Sequence, residues 1–166
     1  MKYHCFEELP VWKDAIELAT RVFEVTAKPC FRFHSGTRNQ LENAAVSVSN
    51  NIAEGFERGT TQETLTFLYI ARGSCGETRS MLRLLDGVAL FSELKVDIRR
   101  LIPLSLSISR QLRSWADSLQ NSDIRGQRYL SNRSRRSAKE MKEREEFLEE
   151  LKRIREEHRP GSTTNE

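Results

Sequence analysis

The chain has 166 residues, of which 27 are Lys or Arg and 24 are Asp or Glu, so its formal net charge is +3. That length fits one domain with a small appendage, and so mild a charge does not by itself indicate a nucleic-acid partner. Three cysteines without framework spacing argue against a disulfide-rich secreted domain, and no apolar run approaches the ~20 residues of a membrane span. We therefore expect a cytoplasmic protein with reduced thiols and no membrane partner.

Two amphipathic helices are predicted in the first third of the chain. Pro10 suits the first position of a helix, and apolar residues then recur at helical spacing until Pro29 ends the pattern. A second helix is predicted to start near Ser35 or Thr37 and to end near Gly55, with its apolar residues in alternating steps of four and three.

Two longer helices are predicted to follow. Thr60, with Glu63 three residues later, has the pattern of a capping box, and the helix that it opens is expected to run to about Leu90. A fourth helix is expected after Ser92, a good N-cap residue, with a kink at Pro103. Four amphipathic helices with short links predict an all-α fold, an antiparallel up-down-up-down four-helix bundle.

The apolar period is lost after Leu119, where the character of the chain changes. We predict four successive segments: a bundle over residues 1–120, a basic linker or arm over 121–137, an extra charged amphipathic helix over 138–159 and a disordered tail over 160–166. The charged helix carries a thin apolar stripe, formed by Phe147, Leu151 and Ile154.

Arginines are the best candidates for phosphate binding, because a guanidinium group can contact phosphate through two nitrogens. On the third predicted helix, steps of seven and four place three of them on one face: Arg72, Arg79 and Arg83. The arm has five arginines with no acid among them, and a tyrosine able to stack on a base: Arg125, Arg128, Tyr129, Arg133, Arg135 and Arg136. The alternatives are salt bridges to neighbouring helices or subunits for the first set, and a solvated linker for the second.

The sequence shows no pattern typical of a catalytic or cofactor site. The pair His4 and Cys5 with the pair Cys30 and His34 looks superficially like a zinc set. A helix of about 18 residues, roughly 27 Å long, separates the two pairs, so one chain cannot easily bring them together. We expect no catalytic residue, no metal and no cofactor, and therefore no enzyme.

Small and polar residues on the two central helices are interpreted as packing devices. Gly73, Gly76 and Ser80 share one side of the third helix, and each glycine costs on the order of 1 kcal/mol in a helix interior, which predicts a tight helix contact there. Asn50 and Asn51, with Ser47, border the apolar seam of the second helix. Buried polar groups of this kind need partners, so we interpret them as residues that set the register.

Several motifs within residues 6–118 are long and specific. They are F-x-E-L-x-V-W-K from Phe6, L-x-x-A-A-x-S from Leu41, N-I-A-E-G from Asn51 and F-L-x-x-A-R-G-S from Phe67, together with Arg58 and Glu77. These motifs resemble those of the 23S rRNA intervening-sequence protein family, also called the S23 or four-helix-bundle protein family. The resemblance ends near Leu119 and does not cover the arm or the charged helix.

The resemblance implies a small bacterial bundle protein without a known catalytic site. A related branch consists of accessory proteins of diversity-generating retroelements, which form pentameric barrels with a basic surface and bind a reverse transcriptase and nucleic acid. We therefore expect a homo-oligomer, with a pentamer as the first candidate, that binds RNA or DNA without catalysis. The alternative is a protein-interaction scaffold, for example a reverse-transcriptase accessory subunit that docks a partner through the charged helix.

Overall fold

The structure is a computed structural model that describes residues 3–121, 146–150 and 153. Four α-helices make up the first part: α1 (Pro10–Thr26), α2 (Ser35–Glu57), α3 (Thr61–Gly87) and α4 (Lys95–Gln120). No strand occurs among the described residues, and the four helices pack around one core, so the predicted all-α bundle is confirmed. Residues 146–150 and 153 are helical and belong to a separate unit. The predicted domain boundaries stay a prediction.

The starts of two helices follow from local chemistry, as predicted. Helix α1 begins at Pro10, which has no N–H to leave unsatisfied at that position. Helix α3 begins after Thr60, whose hydroxyl oxygen accepts a hydrogen bond from the Glu63 N–H at 3.2 Å and donates one to the Glu63 carboxylate at 2.7 Å. These bonds satisfy one of the free N–H groups at the helix N-terminus.

The predicted link between α3 and α4 is wrong in detail. Helix α3 ends at Gly87 rather than near Leu90. Helix α4 begins at Lys95, so Ser92 is not its N-cap residue. A 3-10 segment, Ala89–Leu94, lies between them and buries two apolar side chains, Phe91 and Leu94. The burial of these side chains decides the path of the link and outweighs the N-cap preference of serine.

The core consists mainly of aliphatic side chains from all four helices. Helix α3 packs against α2 on one side and α4 on the other, and α1 also packs against α2 and α4. The fully buried side chains recur in steps of three and four on each long helix, which matches the predicted periodicity. The larger of them are Leu18, Leu41, Ile52, Leu68, Leu82, Leu85, Ile98, Leu101, Ile108 and Leu112.

Helices α2 and α3 run in opposite directions and approach closely. Ser47 Oγ lies 3.0 Å from Ser74 Oγ, and Asn51 donates to the backbone and hydroxyl oxygens of Ser47 at 2.7 and 2.9 Å. Farther along α2, Gly55 lies against Phe67, which precedes Ser74 in α3. Gly55 is therefore a packing residue inside α2, which ends at Glu57. The sequence had predicted that Gly55 marks the end of this helix.

The link between α1 and α2 packs against the link between α3 and α4. The ring centroids of Phe31 and Phe91 are 4.8 Å apart, and the ring of His34 lies 5.9 Å from that of Phe91. Because Phe31 and Phe91 are both buried, these contacts extend the core to one end of the bundle.

We expect Gly55→Ala to lower the free energy of unfolding by about 1–3 kcal/mol. A Cβ at this position would lie 2.8 Å from Phe67 Cβ and 3.4 Å from the Thr64 carbonyl oxygen, and neither atom is the end of a flexible side chain. Urea denaturation measures the change. Gly36→Ala is the matched control, since a Cβ there meets no atom within 4 Å. Equal stability of the two variants would contradict the close approach of α2 and α3.

Candidate nucleic-acid interface

Hydrogen bonds identify the side of α3 that faces α4. The Ser105 hydroxyl of α4 donates to the Cys75 carbonyl oxygen of α3 at 2.9 Å, in the buried interior. Arg99 Nε of α4 donates to Asp86 Oδ1 at 2.8 Å, near the end of α3. The order of these contacts shows that α3 and α4 also run in opposite directions. Cys75 and Asp86 therefore define the α4-facing side of α3.

Arg72 and Arg79 lie on this α4-facing side, because they are three residues before and four residues after Cys75. Both side chains are half-buried, whereas Arg83, one turn farther along, is exposed. The structure thus brings the three predicted arginines together along one edge of α3, beside α4. We call Arg72, Arg79 and Arg83 the arginine row.

No member of the arginine row forms an ion pair within the described part of the chain. The ion pairs found there join other residues: Arg21 with Glu17, Arg58 with Glu54, Arg99 with Asp86 and Arg113 with Asp117. Arg79 Nη1 is buried and has no hydrogen-bond partner among the described residues. Within the described residues the row therefore forms no salt bridge to a neighbouring helix, which was one of the two interpretations of the row.

The predicted arm lies outside the described residues, so its candidate residues have no structural account. They are Arg125, Arg128, Tyr129, Arg133, Arg135 and Arg136. The phosphate-binding role of this set stays a prediction.

A polar cleft between α2 and α3 was not predicted from the sequence. It has a volume of about 490 Å³ and is lined by Gln40, Asn43, Ala44, Ser47 and Glu77. Gln40 Nε2 donates to Glu77 Oε1 at 3.5 Å across its mouth. Amides, a hydroxyl and one carboxylate suit neutral hydrogen-bonding groups better than phosphate, because the carboxylate repels an anion. Only the antiparallel packing of two distant segments brings these residues together.

The face of α3 that points away from the core is open. A Cβ added to Gly73 or Gly76 would meet no atom within 4 Å, so these glycines do not make the predicted tight contact with any of the other described helices. Three large apolar side chains are exposed on the same helix: Tyr69 at 44%, Ile70 at 46% and Leu84 at 61%. We call these five residues the outer face of α3.

Cys75 is the one fully buried thiol, whereas Cys5 and Cys30 are half-buried. Burial raises the pKa of Cys75 to about 12, and the nearby Arg79 guanidinium offsets only part of this rise in pKa. The Cys75 thiol is therefore neutral at physiological pH and unreactive as a nucleophile.

Two further properties concern the described residues alone. Within 3–121, 146–150 and 153, no three His, Cys, Asp or Glu side chains lie close enough together to hold a metal ion. None of the helices in these ranges is both long and apolar enough to cross a membrane.

The sequence of the bundle matches a known protein family. The model of a protein family described as 23S rRNA-intervening sequence protein matches residues 7–114. The chain belongs to this family. The match begins just before α1 and ends within α4, so it includes the arginine row but not the arm or the charged helix. No curated protein matches the chain.

We expect Cys75 to resist a thiol reagent in the folded protein at pH 8, where a pKa of about 12 leaves only a minute fraction as thiolate. Titration with an aromatic disulfide should release fewer than three equivalents of the aromatic thiolate per chain from native protein. After unfolding it should release three, one for each cysteine. Equal reaction rates for all three thiols in the native state would contradict the burial of Cys75.

Proposed function

We propose that this protein is a non-enzymatic, cytoplasmic accessory protein that binds RNA or DNA and acts as a homo-oligomer. The observation that supports nucleic-acid binding is the arginine row: three arginines along one edge of α3 that form no ion pair within the described residues. RNA is the first ligand to test, because the family name refers to an intervening sequence of 23S rRNA.

The chemistry of the row suits a phosphate backbone. The buried Nη1 of Arg79 lacks an acceptor, and a buried donor without a partner is costly. Rotation of this half-buried side chain toward solvent would expose Nη1, and a phosphate oxygen would then supply the acceptor and neutralise the charge. Arg72 and Arg83 are separated by about 16 Å along the helix axis at 1.5 Å per residue. Phosphates on one duplex strand rise by about 3.4 Å each, so the row spans about five of them.

We expect the triple variant Arg72→Ala, Arg79→Ala, Arg83→Ala to bind RNA more weakly. The slope of log affinity against log salt should become shallower by about 2–3, because binding with three fewer phosphate contacts releases fewer counterions. Fluorescence anisotropy across a salt series measures both quantities. The matched control removes three ion-paired arginines instead: Arg21→Ala, Arg58→Ala and Arg113→Ala. Similar weakening in both triple variants would contradict a specific role of the row.

The arm is tested in the same way. We expect changing Arg128, Arg133, Arg135 and Arg136 to Ala, or removing residues 121–166, to reduce affinity further. An unchanged affinity together with an unchanged salt slope would assign nucleic-acid binding to the bundle alone.

The homo-oligomer is supported by the outer face of α3. Apolar side chains and two open glycines form a surface onto which another helix could pack closely. The resemblance to accessory proteins of diversity-generating retroelements suggests a pentamer.

We expect Ile70→Asp with Leu84→Asp to shift sedimentation from the oligomer to the monomer. Val96→Asp is the control, since Val96 is 62% exposed but lies on α4. A stable wild-type monomer at micromolar concentration would overturn the assembly.

A protein-interaction scaffold, for example an accessory subunit of a reverse transcriptase, is the second candidate. It is favoured by Phe147 and Leu148, which are 60% and 47% exposed in the helical residues 146–150. The predicted stripe residues Leu151 and Ile154 lie outside the described residues.

The absorbance of natively purified protein distinguishes nucleic-acid binding from the protein-interaction scaffold. Bound nucleic acid raises the ratio of absorbance at 260 nm to that at 280 nm, whereas a captured protein partner does not.

A further inference from the structure

Charge is distributed unevenly along the bundle. One end, formed by residues 28–38 and 83–100, carries seven Lys or Arg and three Asp or Glu. The opposite end, formed by 3–13, 54–63 and 113–121, carries three Lys or Arg and six Asp or Glu. The contacts of the Phe91 ring with Phe31 and His34 place the first two segments together. We call them the basic end.

Most cations of the basic end are free to contact a ligand. Of its seven basic side chains, Arg99 alone forms an ion pair within the described part of the chain. Residues 25–41 contain no Asp or Glu at all, so the link between α1 and α2 itself has no acidic side chain. The six remaining basic residues are Lys28, Arg32, Arg38, Arg83, Lys95 and Arg100.

Phe33 projects from the basic end. Its side chain is 86% exposed, more than that of any other large apolar residue in the described ranges. The Arg32 guanidinium lies 5.7 Å from the centroid of its ring. The backbone on either side is held in place: Phe31 is buried, and its carbonyl oxygen accepts a hydrogen bond from the His34 N–H at 2.9 Å. An exposed ring on an anchored turn is not explained by packing within the bundle.

We infer that the basic end binds single-stranded nucleic acid, with a base stacked on Phe33 and phosphates held by the surrounding cations. This inference rests on the proposed function and adds a location and a strand type to it. Stacking on an aromatic ring tolerates any base, because every base has a π-face, and arginine adds attraction to the same ring. In a duplex the bases are already stacked on one another, so Phe33 selects for unpaired strands.

Two other anionic surfaces fit the basic end less well. Membrane-surface binding uses an amphipathic helix lying flat with a broad apolar face. This end consists instead of two links and the helix ends beside them, and its other exposed apolar side chains, Leu84, Val88, Leu90 and Val96, are spread over the end of α3, the link and the start of α4. The acidic end of a second copy offers carboxylates, but its aromatic side chains Tyr3, Phe6 and Trp12 are partly buried and pack against the core. Unpaired nucleotides supply both the charge and the flat ring.

The test compares three substitutions of Phe33 by anisotropy with a 20-nucleotide oligo-dT, a 20-nucleotide oligo-rU and a 20-base-pair duplex. Phe33→Ala and Phe33→Leu should weaken binding to the single strands by about fivefold to a hundredfold, because neither keeps a π-face. Phe33→Trp should retain or raise the affinity. The salt slope and the duplex affinity should stay unchanged, since no cation is removed. The two oligonucleotides show whether DNA or RNA is preferred.

Phe23→Ala is the matched control, because Phe23 is a half-exposed phenylalanine of α1 outside the basic end. If wild-type protein binds the single strands but Phe33→Ala binds as tightly as Phe23→Ala, the inference is overturned and the proposed function stands. Absence of wild-type binding to all three probes overturns both. Binding to anionic lipid vesicles that depends on Phe33, without binding to the oligonucleotides, also overturns the inference. Thermal melting followed by circular dichroism verifies that each variant folds.

Discussion

The close approach of α2 and α3 at Gly55 is the constraint on which the rest of the structure depends. With no side chain at that position, the Phe67 Cβ can pack directly against the α2 backbone. The Ser47–Ser74 contact then sets the register of the two helices. Since α3 also packs against α4, its orientation decides three surfaces together: the arginine row beside α4, the polar cleft beside α2 and the open outer face.

Local chemistry makes much of the fold predictable from the sequence. Pro10 and the Thr60–Glu63 pair act within one helical turn, so the residues that form each signal are adjacent in the chain. The start of α4 is different, because burial of Phe91 against Phe31, far away in the sequence, determines it. Ser92 has the right chemistry for an N-cap, but tertiary packing places it inside a 3-10 segment instead.

The candidate site was predictable only in part, for the same reason. Spacing alone placed Arg72, Arg79 and Arg83 on one face, since helical geometry relates residues four and seven apart. Spacing does not show which neighbour that face has, nor that Arg79 Nη1 is buried without a partner. Gly73 and Gly76 illustrate the same limit, because small residues indicate a close contact without showing whether their own chain provides it.

The opposite charges at the two ends of the bundle have a kinetic consequence. Residues 3–121 contain equal numbers of acidic and basic side chains, so the bundle carries no formal net charge but has an electric dipole along its length. Near a polyanion such a body experiences a torque that turns the basic end toward the ligand before contact. The torque acts within about 8–10 Å at physiological salt, the distance over which ions screen charge. Productive encounters then become more frequent at low ionic strength, although the bundle as a whole is neutral.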